Sequence, residues 1–298
     1  MLLIGSLPII VGFGGINPAG RSTNHHGYRR LVYGALSESA QQQTLASIAA
    51  LTGKLKTSAS GWANEHGHVV DPDSYLTAPS EELLGNTLIR ELEGNLFDPD
   101  RIYHQSQANL SAADDRPLSF RIKTKNISSP VPSNCSVVKP DENCSVVKIA
   151  GYLEVMLPEY RKSQINSAGQ LPSGFIPGEL SASRNYPRGL QLSVFAASDA
   201  LNSFGIGWDT VRQRVAPDQI SVYAGSGLGQ LDYHGNGGLL QARLLGKKVS
   251  SKQIALGYAE MHADFINAYL LGNLGTTGTS VAACATFLYN LRWGIKDI

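Results

Sequence analysis

The sequence predicts an α/β protein, and three observations carry that expectation. Short apolar runs of strand character end in glycine-rich turns, at Gly12, Gly14 and Gly15 and again at Gly225, Gly227 and Gly229. Apolar residues at helical spacing occupy 190–201 and 254–271. A third run, 280–283, leads out of a Gly/Thr-rich approach into Cys284, and apolar residues at 287, 288, 291, 295 and 298 then resume helical spacing. With 298 residues, 42% apolar and 16% charged, the chain can bury one large core or two modest ones.

At the amino-terminal side, the apolar residues up to Val11 could pass for a signal-peptide core, but the first positive side chain is Arg21, and Gly5 and Pro8 interrupt the run. A buried strand is the expectation. The Gly12-x-Gly14 turn invites a dinucleotide site, yet the third glycine position is Asn17, and Pro18 keeps a helix from opening there. His25 and His26 are adjacent, so their side chains diverge on any regular backbone, and they are assigned to surface or interface. Residues 31–51 have an amphipathic helical pattern built on Leu31, Leu36, Leu45, Ile48, Ala49 and Leu51, with Gly53 as the stop.

Between 52 and 187 the composition shifts to Ser, Asn, Asp, Gly and Pro, with short regular segments expected at 80–93 and 143–155. This stretch is read as a long insertion after the first core strand and helix. Within it, Asn134-Cys-Ser-Val-Val-Lys139 recurs as Asn143-Cys-Ser-Val-Val-Lys148, joined by Pro140-Asp-Glu142, which predicts a β-hairpin. A paired-thiol or metal site would need further ligands that the sequence does not supply. Residues 170–178 are expected to form an irregular capping loop. From Gly189 the α/β rhythm resumes: a helix ending at Gly205, a short strand at 220–224, the Gly225–Gly229 turn, and a helix over 254–271. That turn is not a dinucleotide fingerprint, since Gln230 stands where the third glycine would be, and no Walker lysine follows.

Cys284 is the candidate nucleophile. At a strand-to-helix junction, the unpaired first-turn amides and the positive end of the helix dipole favour a thiolate. The small neighbours Ala282, Ala283 and Ala285 leave room for a substrate carbonyl. Chemistry alone leaves a second reading open, that of a buried, inert cysteine.

The Cys284 segment resembles the nucleophile segment of the β-ketoacyl synthases, the condensing enzymes of the thiolase fold. Gly272, Gly275, Ala283, Cys284 and Ala285 fall in register with that family's Gly-rich approach and its small-Cys-small opening of a helix. The departures are Gly275-Thr276-Thr277 in place of the usual Gly-Pro-Asn or Gly-Pro-Ser, and the bulky Phe287-Leu288-Tyr289 after the cysteine. The first strand with its Asn17-Pro18-Ala19-Gly20 step, and the Gly225-Ser226-Gly227 turn, also resemble the family. The insertion and the His-His-Gly-Tyr-Arg-Arg segment look like the longer bacterial synthases that start fatty-acid chains.

The resemblance implies a thiolase-like fold whose first half, with the insertion, occupies 1–298 and whose second half is absent. It implies a decarboxylative condensation of an acyl thioester (acyl-CoA or acyl-ACP) with malonyl-ACP through acyl-Cys284, the Cys284 backbone N–H forming part of the oxyanion hole. It further implies acyl carrier protein as partner and a cytoplasmic homodimer. The family's two catalytic histidines come from the second half, and none of the seven histidines here matches them by motif. An inactive fragment or a carrier-binding partner subunit is therefore an alternative expectation, as is lack of condensing activity by residues 1–298 alone. A third is a serine hydrolase-like α/β protein, because Gly278-Thr-Ser-Val-Ala282 nearly fits a nucleophile elbow.

The remaining features narrow the classes. A net charge of +1 excludes a whole-molecule field for nucleic acid or membrane. An acidic carrier would therefore meet local basic groups: Arg29-Arg30, Arg121/Lys123/Lys125 or Lys247-Lys248/Lys252. Three cysteines form no disulfide framework, and neither a metal nor a cofactor is expected. No run approaches the roughly 18 apolar residues of a membrane span, and the Asn-x-Ser triplets at 109, 126, 134 and 143 are read as chance. The apolar residues of 287–298 lie almost all round the helix, which predicts that further structure covers it.

Overall fold

The computed structural model describes residues 7–23, 32–94, 98–113, 115–127, 129–138, 142–180 and 183–298. They form two compact units, one from 1–90 with 169–298 and one from 91–168, the second lying within the 52–187 stretch.

In the larger unit, the helix Glu38–Leu51 begins where the Ser37 hydroxyl accepts the Ala40 N–H. Its buried face, Thr44, Leu45, Ile48 and Ala49, packs on Leu55, Leu76 and Leu83. Gly53, at φ 75°, lies just past its end, where a left-handed residue is favoured. The start is later than the apolar pattern suggests, because Tyr33–Ala35 forms a separate 3-10 turn before the Ser37 cap.

The helix Arg188–Ser203 buries Leu190, Val194, Phe195 and Asp199 at helical spacing. Phe175 stacks edge-on against Phe195, 5.0 Å between ring centroids, and brings the 170–178 loop onto this helix. Residues 8–15 run beside it without strand structure, which corrects the expected buried strand: Ile9 and Ile10 are 81% and 83% exposed. Side chains of the helix hold this segment instead of a sheet neighbour. The Phe13 N–H donates to Ser203 Oγ at 2.8 Å, and the Gly15 N–H to Asp199 Oδ2 at 3.1 Å. A Cβ at Gly14 would stand 2.2 Å from the Ala200 nitrogen, so the close approach requires glycine. Asp199 also accepts from Thr23 Oγ1 and faces Arg21 Nε at 3.0 Å, while the Arg21 guanidinium lies over the Phe195 ring at 5.3 Å.

The remaining core of this unit is a two-residue parallel pair, Val222–Tyr223 with Thr277–Gly278, backed by Ala263 and Leu271. The single helix expected at 254–271 is instead two. Ser251–Gly257, opened by a Ser250/Gln253 capping box, stops at Tyr258 in extended conformation, and Met261–Ile266 runs on as a π-helical turn to Leu271. The break has a hydrogen-bond cause. The Gly257 carbonyl accepts from the Gln230 N–H and Asn236 Nδ2, and the Ala259 carbonyl from the Ser226 N–H, so the glycine turn at 225–230 takes the acceptors a continuous helix would use.

In the smaller unit, Ile102–Ala112 and Gly151–Arg161 pair antiparallel along their full lengths. A three-stranded sheet has Cys144–Ile149 at its centre, flanked by Leu118–Lys123 and Cys135–Val138. The repeated Asn-Cys-Ser-Val-Val-Lys thus pairs with itself as expected, while Lys139, Pro140 and Asp141 of its turn lie outside the described residues. The register sets Cys135 opposite Ile149 and Cys144 opposite Lys123, which separates the thiols by about five strand positions, ~17 Å, and neither is in a disulfide.

Asp199→Ala should lower stability by about 2–4 kcal/mol in chemical denaturation, because it strands the Gly15 N–H and the Arg21 charge together. Asp199→Asn, which keeps one acceptor oxygen, should cost about half as much; equal stability of wild type and Asp199→Ala would contradict this account.

Candidate active site around Cys284

Cys284 is exposed, in the middle of a 3-10 turn, Ala283–Ala285, which leads directly into the helix Thr286–Asp297. The expected strand at 280–283 is absent: regular pairing stops at Gly278, because Asn290 occupies both backbone groups of Ser280. The Ser280 N–H donates to Asn290 Oδ1 at 2.8 Å, and Asn290 Nδ2 donates to the Ser280 carbonyl at 2.9 Å. Thr286 holds the next two residues. Its hydroxyl accepts the Ala282 N–H at 3.1 Å and donates to the Ala283 carbonyl at 2.8 Å. Ala283 itself has φ 45°, the left-handed region that a residue with a Cβ seldom enters. Cys284 therefore follows a residue in the left-handed region, while the Ser280 backbone is tied down by Asn290.

The helix after the cysteine inverts the usual amphipathic pattern. Thr286 and Asn290 are buried, whereas Phe287 is 72% exposed and Leu288, Leu291, Trp293, Ile295 and Ile298 are exposed as well. The apolar face borders an open groove of about 880 Å³ with Pro8, Ile9, Ile10 and Tyr223. The all-round apolar reading of this helix missed its polar stripe; the i, i+4 spacing of Thr286 and Asn290 was the available signal.

Behind the Ala283–Ala285 turn lies the Gly-Ser-Gly turn. A Cβ at Gly227 would stand 2.8 Å from the Ala283 oxygen, and one at Gly225 would stand 2.6 Å from Thr279 Oγ1. The Thr279 hydroxyl donates to the Ala224 carbonyl, and the Ala224 N–H to the Gly278 carbonyl at 3.1 Å, so the two turns are joined at the end of the parallel pair. Among the described residues, the Cys284 N–H has no hydrogen-bond acceptor.

Of the histidines, His25 and His26 lie outside the described residues, as do Arg29 and Arg30. His262, which sequence reasoning did not single out, is buried at the foot of the glycine turn. Gln230 Nε2 lies 2.6 Å from its Nε2, and Ser193 Oγ 2.5 Å from its Nδ1; the Ser193 hydroxyl also reaches the Gly189 carbonyl at 2.9 Å. This chain assigns a neutral imidazole that accepts at Nε2 and donates at Nδ1. Burial pushes the His262 imidazole below its ordinary value of 6.5. No hydrogen bond joins it to Cys284. Among the described residues, no group of three or more His, Cys, Asp or Glu side chains is placed to hold a metal ion, and no helix is long and apolar enough to cross a membrane.

No protein-family model matches the chain. Its fold superposes on a ketosynthase crystal structure with a TM-score of 0.89 at 44% identity, covering 99% of this chain and 46% of the other. The chain is a relative of the β-ketoacyl-ACP synthases, the class to which the Cys284 segment pointed. The relative itself is the β-ketoacyl-[acyl-carrier-protein] synthase FabY of Pseudomonas aeruginosa, the protein of that crystal structure, 45% identical over 292 residues. That alignment takes in 98% of this chain and 46% of FabY, so the chain spans about half the length of the curated relative it matches. The expectations of an absent second half and of an inactive fragment gain no support from either comparison.

The lowered titration of His262 sets a pH window. The folded protein keeps the imidazole neutral where the unfolded chain takes up a proton, so its contribution to stability is whole above pH 6.5 and is lost as pH falls toward the lowered value. In denaturation at about pH 7 and about pH 5, His262→Gln should flatten part of the acid-side loss seen in wild type. An unchanged slope would remove His262 from the acid response.

Proposed function

We propose that this chain carries the acyl-accepting part of a β-ketoacyl-ACP synthase of fatty-acid biosynthesis, with Cys284 as nucleophile. One observation supports this reading above the others: an exposed cysteine with an unoccupied backbone amide follows a left-handed alanine, in a chain 45% identical to a condensing enzyme over nearly all its length. The sulfur attacks the carbonyl of an acyl-CoA or acyl-ACP thioester, and the Cys284 N–H donates to the oxyanion that forms. The C–S bond of the donor breaks, its thiol leaves protonated, and acyl-Cys284 remains. Malonyl-ACP then loses carbon dioxide, and the resulting carbanion forms a C–C bond to the acyl carbonyl, expelling the Cys284 thiolate. The family's histidines assist this second half-reaction.

The partners follow from the same reading. Acyl carrier protein is acidic, and Lys247, Lys248 and Lys252 make no ion pair among the described residues, with Lys247 Nζ over the Tyr233 ring at 5.1 Å. The apolar face of the Cys284 helix suits coverage by further protein, and a homodimer with this segment near its interface is the proposed assembly. A cytoplasmic protein is the proposed setting.

In peptide mapping by mass spectrometry, an acyl thioester should modify Cys284 faster than Cys135 or Cys144, and Cys284→Ala should abolish acylation while leaving the protein folded. Labelling confined to Cys135 and Cys144 would sink the assignment. Affinity for the carrier should fall with rising salt, and charge reversal at Lys247, Lys248 and Lys252 should weaken it further; an unchanged affinity removes this cluster from the docking surface.

A further inference from the structure

The peptide joining Ala283 to Cys284 carries both the Ala283 carbonyl and the Cys284 N–H. A trans peptide is planar and points these two groups in opposite directions, so whatever holds one aims the other. The Ala283 carbonyl is held twice, by the Thr286 N–H and by the Thr286 hydroxyl at 2.8 Å. Both donors draw it toward the start of the helix, which turns the Cys284 N–H away from the helix. Thr286 also fixes the residue before, accepting the Ala282 N–H. Asn290, one turn on, uses its oxygen and nitrogen on the Ser280 backbone and bonds the Thr286 carbonyl at 2.9 Å, so the approach segment cannot slide along the helix. Hydrophobic packing does not account for this pair, since the apolar residues of the same helix face outward. The left-handed Ala283 is strained and persists only where its surroundings over-determine it.

We infer that Thr286 and Asn290 are positioning residues that aim the Cys284 amide at the oxyanion of the acylation step; this rests on Cys284 being the nucleophile. They touch no reacting atom. Their action should show in acylation, which needs the amide, and not in alkylation, which needs only an accessible thiol.

The test uses the full natural polypeptide with the variants Thr286→Val, Thr286→Ser and Asn290→Ala. For each, the rate of Cys284 acylation by an acyl thioester and the rate of its alkylation by iodoacetamide are read by peptide mass spectrometry, normalised to the folded fraction. Thr286→Val, equal in shape but without the hydroxyl, should acylate about tenfold slower or worse, with alkylation within about twofold of wild type. Thr286→Ser should restore acylation, and Asn290→Ala should shift it in the same direction as Thr286→Val, giving an independent reading should Thr286→Val not fold. Acylation at the wild-type rate in Thr286→Val or Asn290→Ala overturns the positioning role, as does an equal fall in both reactions. Failure of wild-type Cys284 to acylate overturns the nucleophile reading, and this inference with it.

Discussion

A backbone amide or carbonyl removed from water must find a partner, and in the unit built from 1–90 and 169–298 side chains meet much of that demand. Among the described residues its parallel pairing is two residues long, too short a ladder to absorb the groups of the glycine-rich segments beside it. Asp199 takes the Gly15 N–H, Ser203 the Phe13 N–H, Asn236 the Gly257 carbonyl, and Asn273 the Ile220 carbonyl. Asn290 takes both groups of Ser280. These polar residues are buried or half-buried because the loops beside them leave no other partner, and removing one exposes a desolvation cost that the rest cannot cover.

The glycines belong to the same arrangement. Gly14 lets the first segment lie against the helix Arg188–Ser203, and Gly227 lets the second turn lie against Ala283. Through Gln230 and the carbonyls of Gly257 and Ala259, the second turn also breaks the helix that would otherwise span 254–271. The Ala283–Ala285 turn is backed by main chain in contact with main chain. His262 closes the foot of that turn as a neutral hydrogen-bond relay between Ser193 and Gln230.

The Cys284 helix shows two demands met on one element. Its inward stripe is polar because it serves the backbone of the turn; its outward face is apolar and borders an open groove. Burying a large apolar side chain contributes roughly 1.5–3 kcal/mol, so a face carrying Phe287, Leu288, Leu291 and Trp293 favours association with further protein.

The sequence by itself determined the α/β class, the helix that stops before Gly53, and the self-pairing of the repeated Asn-Cys-Ser-Val-Val-Lys. These features depend on local periodicity, turn chemistry and motif, which are written in neighbouring residues. Only the tertiary structure decided that 8–15 is not a strand, that 254–271 is broken, that Thr286 and Asn290 hold the backbone around the Cys284 turn, and that His262 lies between Ser193 and Gln230. Each depends on a hydrogen bond between residues far apart in the chain or on the direction a side chain takes when the helix packs. An apolar residue count cannot distinguish a helix whose polar stripe faces inward from one that is apolar all round, because that choice is made by the backbone it must satisfy.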